Sequence, residues 1–308
     1  MHSGAKAFVG ATIISITLSV PHSVAYGQEP KASPTSAPKP EPDFWTKEEM
    51  TGDWGGTRAR WKENGFKMDF ELTGFVQGVA EGGIETGSVG NGKFQTSFEF
   101  DLGKLAGWKF WSAGIKTETR FGGPLLGGTG TINPVNTAVI VPGAAGTVFS
   151  ITAANITRLF PIDLKKGDLF AVAVGRYNLL DLVDENFFAG RGIERFFNIA
   201  QIGPLTVLRQ VPLITNAVTF AYIRGGEPFI TFALIDPNDH SVDPGLSDLF
   251  ADGVTFSPAI NFPSKVFGKT GKHSFGAAVP GRPHQDRGGN HPRLTFRRAA
   301  DPPYLYCV

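Results

Sequence analysis

The 308-residue chain has a single cysteine, Cys307, so neither a disulfide framework nor a multi-thiolate metal centre can be built from it. Charge is sparse and balanced. The 29 Lys and Arg against 28 Asp and Glu leave a net charge of +1, too little to draw in nucleic acid through a global field. After the first 25 residues no run approaches the ~18 consecutive apolar residues that a membrane-spanning helix needs. The six histidines show no HxxxH or HExxH spacing, which removes support for zinc hydrolysis. No GxSxG elbow is present. Gly87 to Lys93 has P-loop spacing, but Phe94 stands where Ser or Thr must hold magnesium, and a glycine-rich hairpin loop is the expectation there. Asp236, Asn238, Asp239, Asp243, Asp248 and Asp252 depart from the EF-hand pattern and read as an acidic external loop. These absences point away from an enzyme, a metal site or a cofactor.

What the chain has in excess is glycine, 39 residues against an average usage near ~7%, together with 26 phenylalanines. Its N-terminus has the layout of a secretory signal peptide over residues 1–25: a basic start through Lys6, an apolar run from Ala7 to Val20, and Ser23 and Ala25 before a cleavage site. Residues 26–42 read as an extended linker, with five prolines between Gln28 and Pro42. Residues 43–65 look helical in pieces. Thr46 and Glu49 have capping-box spacing, and Thr57 to Asn64 ends at Gly65, a suitable residue to follow a helix.

From Gly65 the period changes to two. Phe66, Met68, Phe70 and Leu72 alternate with Lys67, Asp69, Glu71 and Thr73. Phe94, Thr96, Phe98, Phe100 and Leu102 alternate with Lys93, Gln95, Ser97, Glu99 and Asp101. Trp111 to Phe121 repeats the pattern, with Lys116, Glu118 and Arg120 on one side. Successive strand residues point to opposite faces, so each segment has one apolar-aromatic and one charged face. Further candidates lie at 147–160, 169–178, 195–211, 216–224, 228–235, 253–262 and 272–279, about ten in all, with lengths near the ~9–11 residues of a tilted membrane strand. The fold class is all-β. An antiparallel membrane barrel is favoured by strand length, aromatic pairs such as Trp108/Trp111, Phe187/Phe188 and Phe196/Phe197, and the export signal. A secreted β-sandwich that recognises glycans is the alternative.

Thr51-Gly52-Asp53-Trp54-Gly55-Gly56-Thr57-Arg58, then Trp61, then Gly65 and an alternating strand, resembles the start of the carbohydrate-selective porin (OprB-type) family. Two later blocks resemble it as well: Gly175-Arg176-Tyr177-Asn178 leading to Phe187-Phe188-Ala189 and Phe196-Phe197-Asn198, and Phe229 to Leu234 with Asp236-Pro237-Asn238-Asp239 and Leu249 to Val254. The resemblance implies an outer-membrane, antiparallel β-barrel of a Gram-negative bacterium, about sixteen strands in the complete family, that passes sugars by diffusion. It implies mono- or oligosaccharides, outer-membrane lipid and the barrel-assembly machinery as partners, leaves homo-oligomerisation open, and calls for no nucleic acid.

Sugar passage needs many reversible hydrogen bonds and no covalent catalyst. Lys93, Glu99 and Asp101 share one strand face and Lys116, Glu118 and Arg120 another; these, with Arg176 from a family-like block, are the lumen candidates. Gly52, Asp53, Trp54, Gly55, Gly56 and Arg58 form the family motif, with Trp54 and Arg58 as further sugar candidates and Asp53 and Arg58 as candidate pins for the N-terminal segment. Residues 66–278 are the expected barrel portion. Residues 279–308 change character, with five Arg, no Lys and the lone Cys, and without them the chain carries 24 basic and 26 acidic residues, net −2. That shift, with prolines unsuited to a central strand, reads as an aberrant tail from a shifted frame or truncated gene, leaving an incomplete barrel.

Overall fold

The structure, a computed structural model, describes residues 50–123, 130, 135–140, 146–182, 193, 197–198, 211–267, 269–281 and 304–307. The signal-peptide and linker expectations fall outside these residues, as do the strand candidate at 195–211, except for residues 197, 198 and 211, and the pair Phe187/Phe188.

Ten strands form one antiparallel sheet in which each pairs only with its neighbours in sequence: β1 (Phe66–Val79), β2 (Gly87–Asp101), β3 (Trp111–Gly122), β4 (Val148–Asp163), β5 (Asp168–Asn178), β6 (Ile214–Arg224), β7 (Glu227–Ile235), β8 (Thr255–Val266), β9 (Lys269–Pro280) and β10 (Tyr304–Cys307). β5 pairs directly with β6, Tyr177 opposite Thr215 and Leu169 opposite Ile223. The short β10 takes the tenth place, pairing Tyr304 with Ala278 inside the segment expected to be an aberrant tail. Gly87 to Lys93 is not a loop. It is the first half of β2, with Lys93 opposite Thr73 and Gly87 opposite Val79; glycine hides the period there because it has no side chain to alternate. A single sheet, rather than two stacked ones, sets the sandwich aside.

The connections differ between the two ends. At one end lie 102–110, 164–167, 225–226 and 267–268; at the other lie 80–86, 123–147, 179–213 and 236–254. Gly225 and Gly226 both have positive φ, 61° and 84°, the backbone that a two-residue hairpin turn requires. The short-turn end also carries α1 (Thr57–Glu63) and α2 (Leu102–Ala106). α1 stops at Asn64, followed by Gly65 at φ 93°, close to the expected boundary.

One face of the sheet is apolar and open. Phe70, Leu72, Val76, Phe149, Ile151 and Phe170 are exposed on it. Phenylalanines meet across five strands: Phe160 and Phe170 at 6.2 Å, Phe170 and Phe220 at 6.5 Å, Phe220 and Phe232 at 6.3 Å, Phe232 and Phe256 at 6.3 Å between ring centroids. Such cross-strand aromatic pairs stabilise a sheet and fix its register. Near the short-turn end, Arg158 lies 5.4 Å from the Trp111 ring and Arg224 5.6 Å from Phe229. An arginine with an aromatic stem-partner suits a boundary between apolar and wet surroundings.

The opposite face is buried and divided. Over β5–β7 it carries small side chains, Thr215, Thr219 and Thr231 among them, with Ala171, Ala173, Ala217, Ala221 and Ala233 packed in one cluster with Leu159, Tyr177, Leu179, Leu180, Val211 and Ile235. The helical turn Leu179–Leu182 and the segment around Val211 therefore fold onto the sheet, with Leu179 N–H donating to Leu213 O at 2.6 Å. Over β2 and β3 the same face is charged, and β4 adds the uncharged Ser150 and Thr157.

Gly175, at φ 141°, shows how tightly the strands approach. An added Cβ would lie 2.7 Å from Asn155 Cα and closer still to the Ala154 carbonyl oxygen. Gly175→Val is expected to cost about 1–3 kcal/mol, read as a lowered urea midpoint of the refolded chain. Gly90→Ala, where a Cβ meets nothing within 4 Å, should leave that midpoint within about 0.5 kcal/mol of the parent.

Candidate functional site

Alternation brings Lys93 and Gln95 of β2 to the same face as Lys116, Glu118 and Arg120 of β3, because Lys93 sits opposite Arg120 and Gln95 opposite Glu118. Glu118 is the hub. Its Oε2 accepts from Lys93 Nζ at 2.8 Å, and its Oε1 accepts from Gln95 Nε2 at 3.2 Å and Asn178 Nδ2 at 3.0 Å. Lys116 Nζ lies 3.5 Å from Glu118 Oε1 and also forms an ion pair with Asp181. Lys93 is 2% exposed and Glu118 1%. Buried charges of this kind survive only when paired and hydrogen-bonded, and here two ammonium groups and two amides meet one carboxylate.

This geometry gives the cluster a mechanical role. Asn178 and Asp181 lie at the end of β5 and in the helical turn after it, so their bonds to Glu118 and Lys116 hold that turn against the polar face. Arg120, 5% exposed, does the same for a second segment. Its Nη1 donates to Val139 O at 2.7 Å and its Nη2 to Gly146 O at 3.5 Å. The buried turn Thr137–Val139 is tied in turn to residue 197, with Thr137 N and Oγ1 both 2.7 Å from Phe197 O. Phe197, an exposed side chain, meets Phe75 of β1 edge-on at 5.6 Å, which places it over the polar face and not in an aromatic belt. Two long connections thus converge on the polar face and fill part of it.

The remaining candidates divide by position. Glu99 accepts from Lys67 Nζ at 3.3 Å, with both side chains about 40% exposed. Asp101 caps α2, accepting from Gly103 N at 2.9 Å and Lys104 N at 3.2 Å. Both lie toward the short-turn end, on the same face as Lys93 but away from the Glu118 hub. Arg176 is a correction. It sits opposite Ala154 and Asn216 and two residues beyond the exposed Val174, on the apolar row, so it does not share a face with Lys93 and Glu118.

The Gly52–Arg58 motif is a knot at the foot of β1. Asp53 Oδ1 accepts from Ala59 N at 3.0 Å, Arg58 Nη2 reaches Asp69 Oδ1 at 3.2 Å and Met68 O at 3.3 Å, and the Arg58 guanidinium lies 5.3 Å from the Trp54 ring centroid. Trp54 meets Trp61 edge-on at 6.0 Å, and Trp61 meets Phe66 at 5.5 Å. Gly52, Gly55 and Gly56 supply positive φ in this turn, and Trp54 adopts it as well.

Sequence reasoning passed over Gln95, Asn178 and Asp181. Gln95 was visible, since it alternates in step with Lys93. Asn178 and Asp181 were not, since their approach to Glu118 depends on how the connection after β5 folds back.

Removing Glu118 tests the hub. Glu118→Ala leaves the buried Lys93 ammonium without its carboxylate and should lower stability by about 3–5 kcal/mol, read by urea unfolding of the refolded chain. Lys93→Met combined with Glu118→Leu should recover most of that loss. A single variant no less stable than the parent would show the hub to be incidental.

Residues 87–291 match the family described as "Carbohydrate-selective porin, OprB family". The fold is similar to the high-pH structure of Pseudomonas putida OprB, with a TM-score of 0.59 at 21% identity over 76% of this chain and 56% of that one. A stretch of 87 residues is 31% identical to the protein named "Putative porin QuiX" from Acinetobacter baylyi, covering 27% of this chain and 20% of the relative. The chain thus spans about half the length of the solved relative and a fifth of the curated one. The family match runs to residue 291, past the point where the composition shifts. Family and fold are those of a transport channel.

Proposed function

The chain belongs to the carbohydrate-selective porin, OprB family, and from that membership we propose that it serves passive diffusion of sugars across the outer membrane of a Gram-negative bacterium. The observation that carries this reading is the division of one sheet into an exposed apolar-aromatic face and a polar face bearing Lys93, Gln95, Lys116, Glu118 and Arg120. An exposed apolar surface of this extent needs an apolar medium, and the strands from β2 to β8 are paired on both sides, as strands crossing a bilayer must be. The polar face then borders the aqueous route. The apparent asymmetry of the connections fits the same orientation, with short turns on the periplasmic side and long loops outside.

On this reading the predicted lumen residues divide in function. Lys93, Lys116, Glu118 and Arg120 shape the route by holding the segments around Val139 and Asp181 inside it. Glu99 and Asp101, with Lys67 and Asp69 beside them, offer charged donors and acceptors toward the periplasmic mouth, where exposure lets them exchange with water. Sugar hydroxyls traverse such a wall by trading one hydrogen bond for another, and no single contact may be strong if the solute is to leave. Arg176 stands off the route, and the Gly52–Arg58 motif meets its mouth through the contact of Arg58 with Asp69.

Reconstitution of the purified chain into planar bilayers tests the proposal. Discrete conductance steps that added mono- or oligosaccharides reduce reversibly are the expected result, and Lys116→Ala, which removes the Lys116–Asp181 ion pair, should change the single-channel conductance. Steps that no sugar affects would sink the carbohydrate reading, and a bilayer that stays silent would sink the porin reading altogether.

A further inference from the structure

Arg176 is the one lumen candidate that the fold turns away from the polar face, and its surroundings are those of a separate site. After Ile235 the chain leaves β7, and the connection 236–254 crosses the ends of β6, β5 and β4. His240 N–H donates to Ile214 O at 2.8 Å, Ser150 Oγ donates to Ser241 O at 2.5 Å, and Asn216 Nδ2 donates to Pro244 O at 3.1 Å and Gly245 O at 3.4 Å. Between this connection and the sheet lies a cavity of about 430 Å³ lined by Phe149, Ile151, Ala154, Arg176, Val242 and Leu246, among others.

Two features of the cavity belong together. Its rim is apolar and open: Phe149 is 63% exposed, Val242 57% and Leu246 71%. At its inner end stands a guanidinium on a side chain that is 7% exposed. Arg176 Nη1 donates to Asp243 O at 2.5 Å, while its Nε–H is buried without an acceptor. Among the described residues no carboxylate forms an ion pair with it. The acids nearby are engaged elsewhere, Asp243 with His240 Nδ1 at 3.0 Å, and Asp239 with Ser241 Oγ at 2.6 Å and Ile214 N at 3.3 Å. Asp243 and Asp239 act on this cation only from beyond ion-pair distance, a buried guanidinium N–H without an acceptor is costly, and a guanidinium is suited to phosphate or carboxylate oxygens.

The geometry points to a binding site for an anionic lipid, its phosphate or carboxylate head against Arg176 and its acyl chain along Phe149, Ile151, Val242 and Leu246. The inference rests on the porin reading in one respect: the apolar row must face lipid, which puts this cavity at the level of the outer leaflet beneath the long loops. Charge complementarity decides the occupant. A neutral apolar chain would fill the rim and leave the guanidinium unanswered, and a free anion would answer the guanidinium and leave the rim exposed.

Binding of short-chain phosphatidic acid to the purified full chain in detergent, followed by native mass spectrometry, tests this site, with short-chain phosphatidylcholine and inorganic phosphate as the other two probes. Phosphatidic acid should bind at least about tenfold more tightly than either, as a charge-assisted contact combined with apolar burial implies. Arg176→Gln should remove that preference and Arg176→Lys should keep most of it. Leu246→Ser, on the connection and outside the strand pairing, should weaken phosphatidic acid alone. Equal binding of phosphatidic acid and phosphatidylcholine overturns the proposal, as does inorganic phosphate binding as tightly as the lipid, or a Leu246→Ser variant with unchanged affinity. Sugar-blockable conductance is scored separately, so a failed lipid site and a failed pore give different results.

Discussion

A peptide group in hydrocarbon has no water to bond with, and a sheet is therefore tolerated there only if each strand satisfies its neighbours along its length. The order β1 to β10, every pair antiparallel and adjacent in sequence, meets that requirement on both sides of the strands from β2 to β8. So does the chemical division between the faces. Once the backbone is closed off by pairing, only side chains distinguish one side of the sheet from the other, and a period of two assigns most of them along β1, β2 and β3, with Phe75 an apolar residue on the polar row. The phenylalanines that meet from β4 to β8 and the Lys93–Glu118 pair are two products of one pattern, separated by the thickness of a strand.

The polar face shows what a charged wall costs when it is covered. Glu118 accepts from Lys93, and it also receives Gln95 and Asn178. An ion pair this deep stabilises little compared with well-packed apolar residues, yet it is unforgiving of partial loss. What it provides is position: the turn after β5 and the segment around Val139 each end on a side chain that no other arrangement would satisfy. Specificity of this kind is useful to a conduit, whose dimensions matter more than its total stability.

Much of the sheet was legible in the sequence, and the reasons are local. Phe66 to Leu72, Phe94 to Phe100 and Trp111 to Phe121 alternate so regularly that strand, face and approximate length follow. The helix from Thr57 and its end at Gly65 followed from capping chemistry. Legibility failed where a residue has no side chain to display the period, as in Gly87–Asn91, and where contacts come from far along the chain. Nothing near Lys93 or Arg120 announces that they are buried, because groups that cover them lie at 139, 146 and 178–181. Arg176 is the instructive case. Its neighbours Val172 and Val174 already marked its row as apolar, but its place in a family-like block drew attention to the residue and away from the alternation around it.

The nearest-neighbour order of the strands has a consequence for how such a sheet can change over time. In a fold with crossovers, adding or losing a strand forces every later connection to be re-threaded. Here each hairpin touches only the one before and the one after, so a pair of strands could be duplicated or deleted with two seams to repair. The circumference of the wall would then grow or shrink in steps of one hairpin, while the alternation that separates its two faces stayed intact.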